Sequence, residues 1–493
     1  MLLLLLLLPL AAALVMIVVP SGPWPRRLAL VTPGLQLLLA VRMVLQPASD
    51  LRLAWLPQIG LDFHLGQDGL SLPLIGLTAL LTLMAVAATS PEVPRQRLFF
   101  GLVLATNLGL QGALLARNGL LFVIAFELIL IPTTLLIAIW GHERSREAAI
   151  RYLLYGAVSG VSLLAGVLAL GLLNANGFSL AYDDMGTALL PQGSRGWILA
   201  LLILAFGLKL PVVPLHGWQP LAYSESSSPV AMLLAGAVSK LGAYGLLRFG
   251  VGFMGDTWEA WAPLIAVAGT ASAVYGALNA IAQTDMRRLV AYSSLGHMGL
   301  LLLAMAAATP LSLQGAVAQV LAHGLISALL FCLVGLIEAK TGTTEIPELS
   351  GLLNPLRGLP FTLGMFLLAL MAAAGLPGMV GFVAELVVFQ GSWSVFPLPT
   401  LGCLFASGLT AVYAVRLFNR VGFGKLDNAK AFYPATTWPE RLPALALSLL
   451  VLVGGLWPPL TLGWSESVTT PLAQHRPLIA SLPAPSTLQE LPS

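Results

Sequence analysis

The chain has 493 residues, of which 58% are hydrophobic and only 9% charged, with a formal net charge of +3. Soluble domains carry about 25% charged residues, so this composition reads as a polytopic membrane protein and excludes a soluble globular enzyme. The small net charge, without a basic run, excludes a nucleic-acid partner. Cys332 and Cys403 stand alone in apolar segments, so no disulfide or metal cluster is indicated.

Apolar runs of about 20 residues predict an all-α fold with 14 transmembrane spans. They lie near 1–20, 28–46, 69–89, 98–116, 120–140, 148–173, 197–218, 229–249, 260–282, 289–308, 312–339, 360–391, 398–418 and 442–463. Met1 to Val19 lacks the basic start of a signal peptide and reads as a retained first helix. Between the second and third spans, Leu51, Leu53 and Trp55 and then Leu61, Phe63 and Leu65 alternate around Pro57 to Gly60, which predicts a hairpin. The eleventh and twelfth spans exceed one crossing, which predicts tilt or a break. The tail after Trp464 is rich in Pro and Ser and, apart from a short apolar patch at Leu478–Leu482, predicts no fold of its own.

Basic residues sort by loop. Arg26, Arg27, Arg95, Arg97, Arg144, Arg146, Arg151, Arg287, Arg288, Lys340, Arg357, Arg420, Lys425, Lys430 and Arg441 follow odd-numbered spans; Arg52, Arg117, Arg195, Arg248 and Arg476 lie on the other side. This asymmetry puts the odd loops in the cytoplasm and both termini outside it.

The seventh span contains Gly207-Leu208-Lys209-Leu210-Pro211-Val212-Val213-Pro214-Leu215-His216-Gly217-Trp218. Pro211 and Pro214 have no N–H, so the carbonyls of Gly207 and Leu210 lose their helical partners. In hydrocarbon such carbonyls need another donor or water, so a break here should line protein interior or a wet cavity. A buried ammonium beside a broken helix is the pattern of a transport site. The plainer alternative is a kinked helix with Lys209 paired for assembly. The twelfth span breaks again at Gly375-Leu376-Pro377-Gly378, five spans later, so the two breaks enter from opposite sides. That offset predicts two inverted five-helix repeats, spans 4–8 (98–249) and 9–13 (250–423), preceded by an N-terminal unit (1–97) and followed by span 14 with its tail (424–493).

The remaining ionisable residues deep within spans are Glu127, Lys240, His297, His323 and Glu385; Arg42 and Arg416 lie nearer to span ends. Burial and pairing pull proton affinity in opposite senses, so a lysine that loses and regains a carboxylate partner can release and reload a proton. Histidine titrates near neutrality, which suits His297 and His323 to relay positions. Each residue alone could instead be a satisfied structural polar group. The Gly and Ala around Lys240 and His323 read as close helix packing, and Trp218 and Trp261 as interfacial anchors.

Three stretches carry a resemblance: Lys209-Leu-Pro-Val-Val-Pro-Leu-His-Gly-Trp, Leu234-Ala-Gly-Ala-Val-Ser-Lys-Leu-Gly-Ala-Tyr-Gly-Leu-Leu-Arg248-Phe, and Arg287-Arg-Leu-Val-Ala-Tyr-Ser-Ser-Leu-Gly-His-Met-Gly299. They resemble the antiporter-like subunits of respiratory complex I, nearest to the chain-4 (M or D) type of NAD(P)H–quinone oxidoreductase. Leu376-Pro-Gly-Met-Val-Gly-Phe-Val-Ala-Glu-Leu-Val-Val-Phe389 is most similar to the cyanobacterial and plastid D-type. The resemblance implies a glutamate–lysine pair at Glu127 and Lys209, a central lysine at Lys240, relay histidines at His297 and His323, and a terminal acid at Glu385. It implies a thylakoid location, with membrane-arm partners that include another antiporter-like chain. No flavin, nicotinamide or iron–sulfur motif is present in this chain, so plastoquinone, NAD(P)H or ferredoxin and iron–sulfur clusters would serve the complex.

One stretch departs from that pattern. The family reads Leu-Pro-Asp-Ala-His after His216-Gly-Trp, whereas this chain reads Gln219-Pro-Leu221-Ala-Tyr223-Ser-Glu225. The departure leans toward a paralogue of the carbon dioxide uptake forms. His216 and Glu225 are expected at the mouth of the path, with the loop holding Glu225 folded back over the break; a solvated loop residue is the alternative. Two other readings remain open for the whole chain: a subunit of a multi-subunit cation/proton antiporter, and a non-conducting spacer.

Overall fold

The computed structural model describes residues 1–426 and 432–474. Lys430, Arg476 and the apolar patch at Leu478–Leu482 lie outside these residues. Fourteen spans occur among the described residues. The first six are Leu2–Val15, Trp24–Leu45, Ser71–Ala88, Gln96–Leu115, Gly119–Trp140 and Ser145–Leu172. Span 7 is two pieces, Gln192–Lys209 and Gln219–Glu225. Spans 8 to 11 are Ser228–Phe253, Gly255–Ala282, Met286–Ala307 and Pro310–Thr341. Span 12 is again two pieces, Pro360–Ala373 and Val380–Trp393. Spans 13 and 14 are Pro397–Gly422 and Trp438–Leu456.

Spans 8, 10 and 11 are buried almost throughout, while spans 2, 13 and 14 keep wide apolar faces open. In a bilayer those open faces meet lipid, and the buried spans form the interior where charge can be tolerated. Span 11 is continuous and, at 32 residues, about 48 Å long, well beyond the ~30 Å hydrocarbon layer. Of the two long spans, only span 12 is broken. The N-terminal turn of span 11 is fixed by a reciprocal pair, Thr309 accepting from the Ser312 N–H and Ser312 accepting from the Thr309 N–H.

We call the side reached by loops after odd-numbered spans the odd face and the other the even face. The expected hairpin is present on the even face. Strands β1 (Leu51–Leu56) and β2 (Leu61–Leu65) pair antiparallel with Leu51 opposite Leu65 and Leu53 opposite Phe63. Gly60 takes φ +68° to close the turn, a conformation that glycine adopts without a Cβ penalty. The hairpin is tied down at its base. Asp68 Oδ1 accepts from the N–H groups of Leu70 and Ser71, opening span 3. Asp68 Oδ2 accepts from Arg117 at 3.0 Å and from Arg248 at the end of span 8. Burial works against the Asp68 carboxylate, but the Arg248 and Arg117 guanidiniums outweigh it and hold its pKa well below the usual range.

Span 8 is not a plain α-helix. It passes through two π-helical stretches, Leu234–Val238 and Leu246–Phe253, on either side of Lys240–Gly245. Wide turns of this kind are frequent at functional sites. The expectation of close packing around Lys240 and His323 holds: a Cβ on Gly236 would lie 3.1 Å from the Gly324 carbonyl, and one on Gly324 would lie 2.9 Å from the Gly236 carbonyl.

Candidate functional site

The seventh span stops at Lys209 because two prolines follow. The Gly207 carbonyl is rescued by the Val212 N–H at 3.2 Å, and the Leu208 carbonyl accepts from Trp218 Nε1 at 2.8 Å. Trp218 therefore corrects one expectation: it is 2% exposed and holds the break together from inside, rather than anchoring the span at the membrane surface. The break leaves Lys209 at the end of its helix piece, 3% exposed. Its Nζ donates to Tyr152 Oη at 3.4 Å and sits 4.9 Å from the centre of the Phe126 ring. Cations over aromatic faces gain about 0.5–2 kcal/mol. Tyr152 Oη in turn accepts from Thr133 at 2.9 Å.

Glu127 directly follows Phe126 but makes no ion pair with Lys209 among the described residues. Its carboxylate rests against span 6, where a methyl group on Gly160 would collide with Glu127 Oε1. Lys209 at the end of its helix piece meets Tyr152 and Phe126, while Glu127 on span 5 meets Gly160 of span 6.

Lys240 occupies the turn after the first π-helical stretch. The wide turn before it bonds Ser239 N–H to the Leu234 carbonyl, and side chains reach the Leu234 and Ala235 carbonyls as well. Lys240 Nζ donates to the Ala235 carbonyl at 2.7 Å and to Ser239 Oγ at 3.2 Å; Tyr223 Oη donates to the Leu234 carbonyl at 3.2 Å. From Lys240 a buried line continues through spans 11, 10, 12 and 13. Nζ is 2.7 Å from His323 Nδ1. The His323 and His297 ring centres are 5.3 Å apart. His297 Nδ1 is 3.3 Å from Glu385 Oε1, and Glu385 Oε2 accepts from Ser407 Oγ at 2.7 Å. Gly375, at φ +70° in the break of span 12, leaves room for Glu385: a Cβ there would lie 3.0 Å from Oε2. A buried series of donors and acceptors, here bridged between His323 and His297 by neighbouring rings rather than by a hydrogen bond, can pass protons by exchange without a charged side chain having to travel.

The two mouth residues are placed differently. His216 is half-buried, its ring against Tyr275, with Nδ1 buried and unpartnered. The stretch expected as a loop folded back over the break is instead the helix Gln219–Glu225, begun by Pro220 in its first turn. Glu225 therefore ends at the odd face, away from the break. There its Oε2 accepts from the Arg144 N–H at 2.9 Å, beside His142, Arg287 and Glu338. Burial and the Arg287 guanidinium push the His142 imidazole below its ordinary pKa, against the pull of Glu338, Glu225 and Asp285.

Sequence reasoning missed Tyr152 and Ser407, and gave Tyr223 and Ser239 no hydrogen-bonding part beside Lys240. Neutral hydroxyls inside apolar runs leave hydropathy almost unchanged, so no signal marked them.

The family described as NADH:quinone oxidoreductase/Mrp antiporter, TM, matches residues 116–410. A curated relative from Synechococcus sp. (strain JA-3-3Ab), NAD(P)H-quinone oxidoreductase chain 4 1, is 38% identical over 485 residues, covering 94% of this chain and 91% of the relative. Chain 4 2 from Thermosynechococcus vestitus is 37% identical over 430 residues, covering 85% and 80%. Among solved structures, a chain of respiratory complex I from Thermus thermophilus with bound NADH matches with a TM-score of 0.88 at 27% identity, over 96% of this chain and 99% of that one. A chain of the Mrp complex from Dietzia sp. DQ12-45-1b shares the fold at a TM-score of 0.85 and 23% identity, over 96% and 98%.

Proposed function

This chain belongs to the membrane-subunit family of NADH:quinone oxidoreductases and Mrp antiporters, and from that premise we propose that it carries protons in the membrane arm of a photosynthetic NAD(P)H–quinone oxidoreductase. The complex passes electrons from NAD(P)H or ferredoxin to plastoquinone through redox groups held by other subunits. This chain moves protons along Glu127, Lys209, Lys240, His323, His297 and Glu385, with another antiporter-like chain beside it. The observation that supports the path is the buried series from Lys240 Nζ to Ser407: 2.7 Å from Lys240 to His323, 5.3 Å between the His323 and His297 ring centres, 3.3 Å from His297 to Glu385 and 2.7 Å from Glu385 to Ser407. The excess of basic residues at the odd face favours the cytoplasm for that side and the thylakoid lumen for both termini. The opposed breaks of spans 7 and 12 favour two inverted units, 98–249 and 250–423.

Lys240→Met tests the reading. In sided membranes the assembled complex should still reduce quinone with uncoupler present, while protons moved per quinone fall. Full pumping by Lys240→Met would leave the chain as a spacer.

The replaced residues Gln219, Leu221 and Tyr223 favour a carbon dioxide uptake version of the complex. Deleting the chain's gene should then impair growth at low carbon dioxide more than respiration; the opposite ranking would refute this version.

A further inference from the structure

Two cavities in the second half of the chain share one wall. The inner cavity, about 10 Å³, is lined by Gly296, His297, Glu385, Ser407, Thr410 and Tyr413, among others, and has room for about one water. Buried, unpartnered His297 Nε2 belongs to this same group. The outer cavity, about 80 Å³, lies between spans 9, 10 and 13 and the loop after span 11. Gln283, Thr284, Ile346, Arg416, Arg420 and Tyr413 line it. Thr284, Arg416 and Arg420 are exposed at the odd face, so this cavity opens there. Tyr413 belongs to both. It is 2% exposed, and its Oη lies 2.6 Å from Ser293 Oγ. It sits nine residues before the end of span 13, about 13.5 Å deep along the helix.

Resting on the proton-path reading above, we infer that Tyr413 and Ser293 gate a second proton inlet, from the odd face to Glu385. An inverted repeat alone would open the second half toward the even face, so this inlet is additional to the symmetry. The transfer balances at the tyrosine. Tyr413 gives its hydroxyl proton inward, through the inner water, to the Glu385 carboxylate. It takes a proton from a water of the outer cavity, so the hydroxyl is regenerated and the acid gains one proton. Arg416 and Arg420 at the mouth oppose passage of metal cations. A proton deficit can still migrate outward from water to water past them, and no cation has to cross. Asp285, Glu345 and Glu348 supply carboxylates on the same rim, Asp285 held by Thr344 and Glu348 by Thr343.

The test uses the whole complex in sided membranes and reads quinone reduction, protons per quinone and passive decay of the gradient. Tyr413→Phe keeps the ring as a plug but removes the hydroxyl; it should lower protons per quinone with quinone reduction kept under uncoupler. Ser293→Ala should do the same more weakly. Tyr413→Ala removes the plug and should make the gradient decay faster. Thr284→Cys, labelled from the odd face with a bulky membrane-impermeant thiol reagent, should lose pumping relative to the same membranes before labelling. The native cysteines, Cys332 and Cys403, are buried. Glu385→Gln separates the two readings. If it pumps fully, the path itself is wrong. If it loses pumping while Tyr413→Phe, Ser293→Ala and labelled Thr284→Cys all pump normally, the path stands and the inlet is refuted. If Tyr413→Ala does not assemble, the other three variants decide.

Discussion

Lys209 is held by a hydroxyl and the face of a ring rather than by a carboxylate, so its charge is only loosely tied to Glu127. Lys209→Met keeps the apolar volume and removes the exchangeable proton. Proton transfer through this chain should slow by about 10²-fold or more, the usual scale for loss of a positioned acid–base group. Protons taken up per quinone on sealed membranes give the measurement. Glu127→Gln should lower the same ratio, and the double variant should be little worse than either single one if the two work as a pair. Additive losses would show independent roles. Gly160→Ala offers a gentler probe, because its methyl group would push the Glu127 carboxylate off span 6. It should change pumping at unaltered charge, and an unchanged proton ratio would mean that the position of Glu127 is immaterial. The buried charged residues were legible in the sequence because each interrupts an apolar run and costs free energy there. Trp218 was misread for the complementary reason: an indole suits an interface, and only the break explains one buried with its N–H on the Leu208 carbonyl.

At the scale of elements, one carboxylate ties three even-face segments together. Asp68 opens span 3, and it pairs with Arg117 before span 5 and with Arg248 at the end of span 8. Arg248 is 1% exposed, so Asp68→Asn would leave a buried cation without its counter-charge. Breaking a buried pair from one side costs about 3–5 kcal/mol. Asp68→Asn should therefore lower the melting temperature of the assembled complex, and Arg248→Met added to it should recover part of the loss. The pH dependence has a definite sign. The folded pKa of Asp68 is depressed, so its contribution is fully present above the unfolded carboxylate range. It is lost as pH falls through the folded value. The span 8–span 11 crossing makes a second prediction. Gly236→Val would press on Leu81 and the Gly324 carbonyl, and overpacking of this kind costs about 1–3 kcal/mol. Lower yield of assembled complex would report it. Both breaks were legible from proline and glycine. The helix Gln219–Glu225 was not, because its seven residues carry too little apolar periodicity to separate a helix from a loop.

For the whole molecule, the span count followed from hydropathy alone, and the two pieces each of spans 7 and 12 complete it. Which spans lie inside was not legible. Spans 2 and 10 are similarly apolar, yet one borders lipid and the other is sealed within the bundle. That assignment depends on long-range packing between segments far apart in the chain. Affinity tags at the two ends test the orientation: both should be reached by protease added from the lumenal side only. Purification through either tag should bring down quinone-reductase subunits, whereas an antiporter assembly would bring none.

Span 8 holds more chain than an evenly wound helix of its length would need, because each wide turn takes in an extra residue. The surplus next to Lys240 is slack, and slack can be removed. Deleting Ala237 should let Leu234–Val238 tighten into an ordinary turn, so that the span survives with its ends in place. The carbonyl of Ala235 would then find a backbone donor, and the lysine would lose its own anchor and swing relative to His323. A shortened chain that assembles, keeps its melting temperature and no longer pumps would mean that the extra length serves to aim one amine, not to cross the membrane.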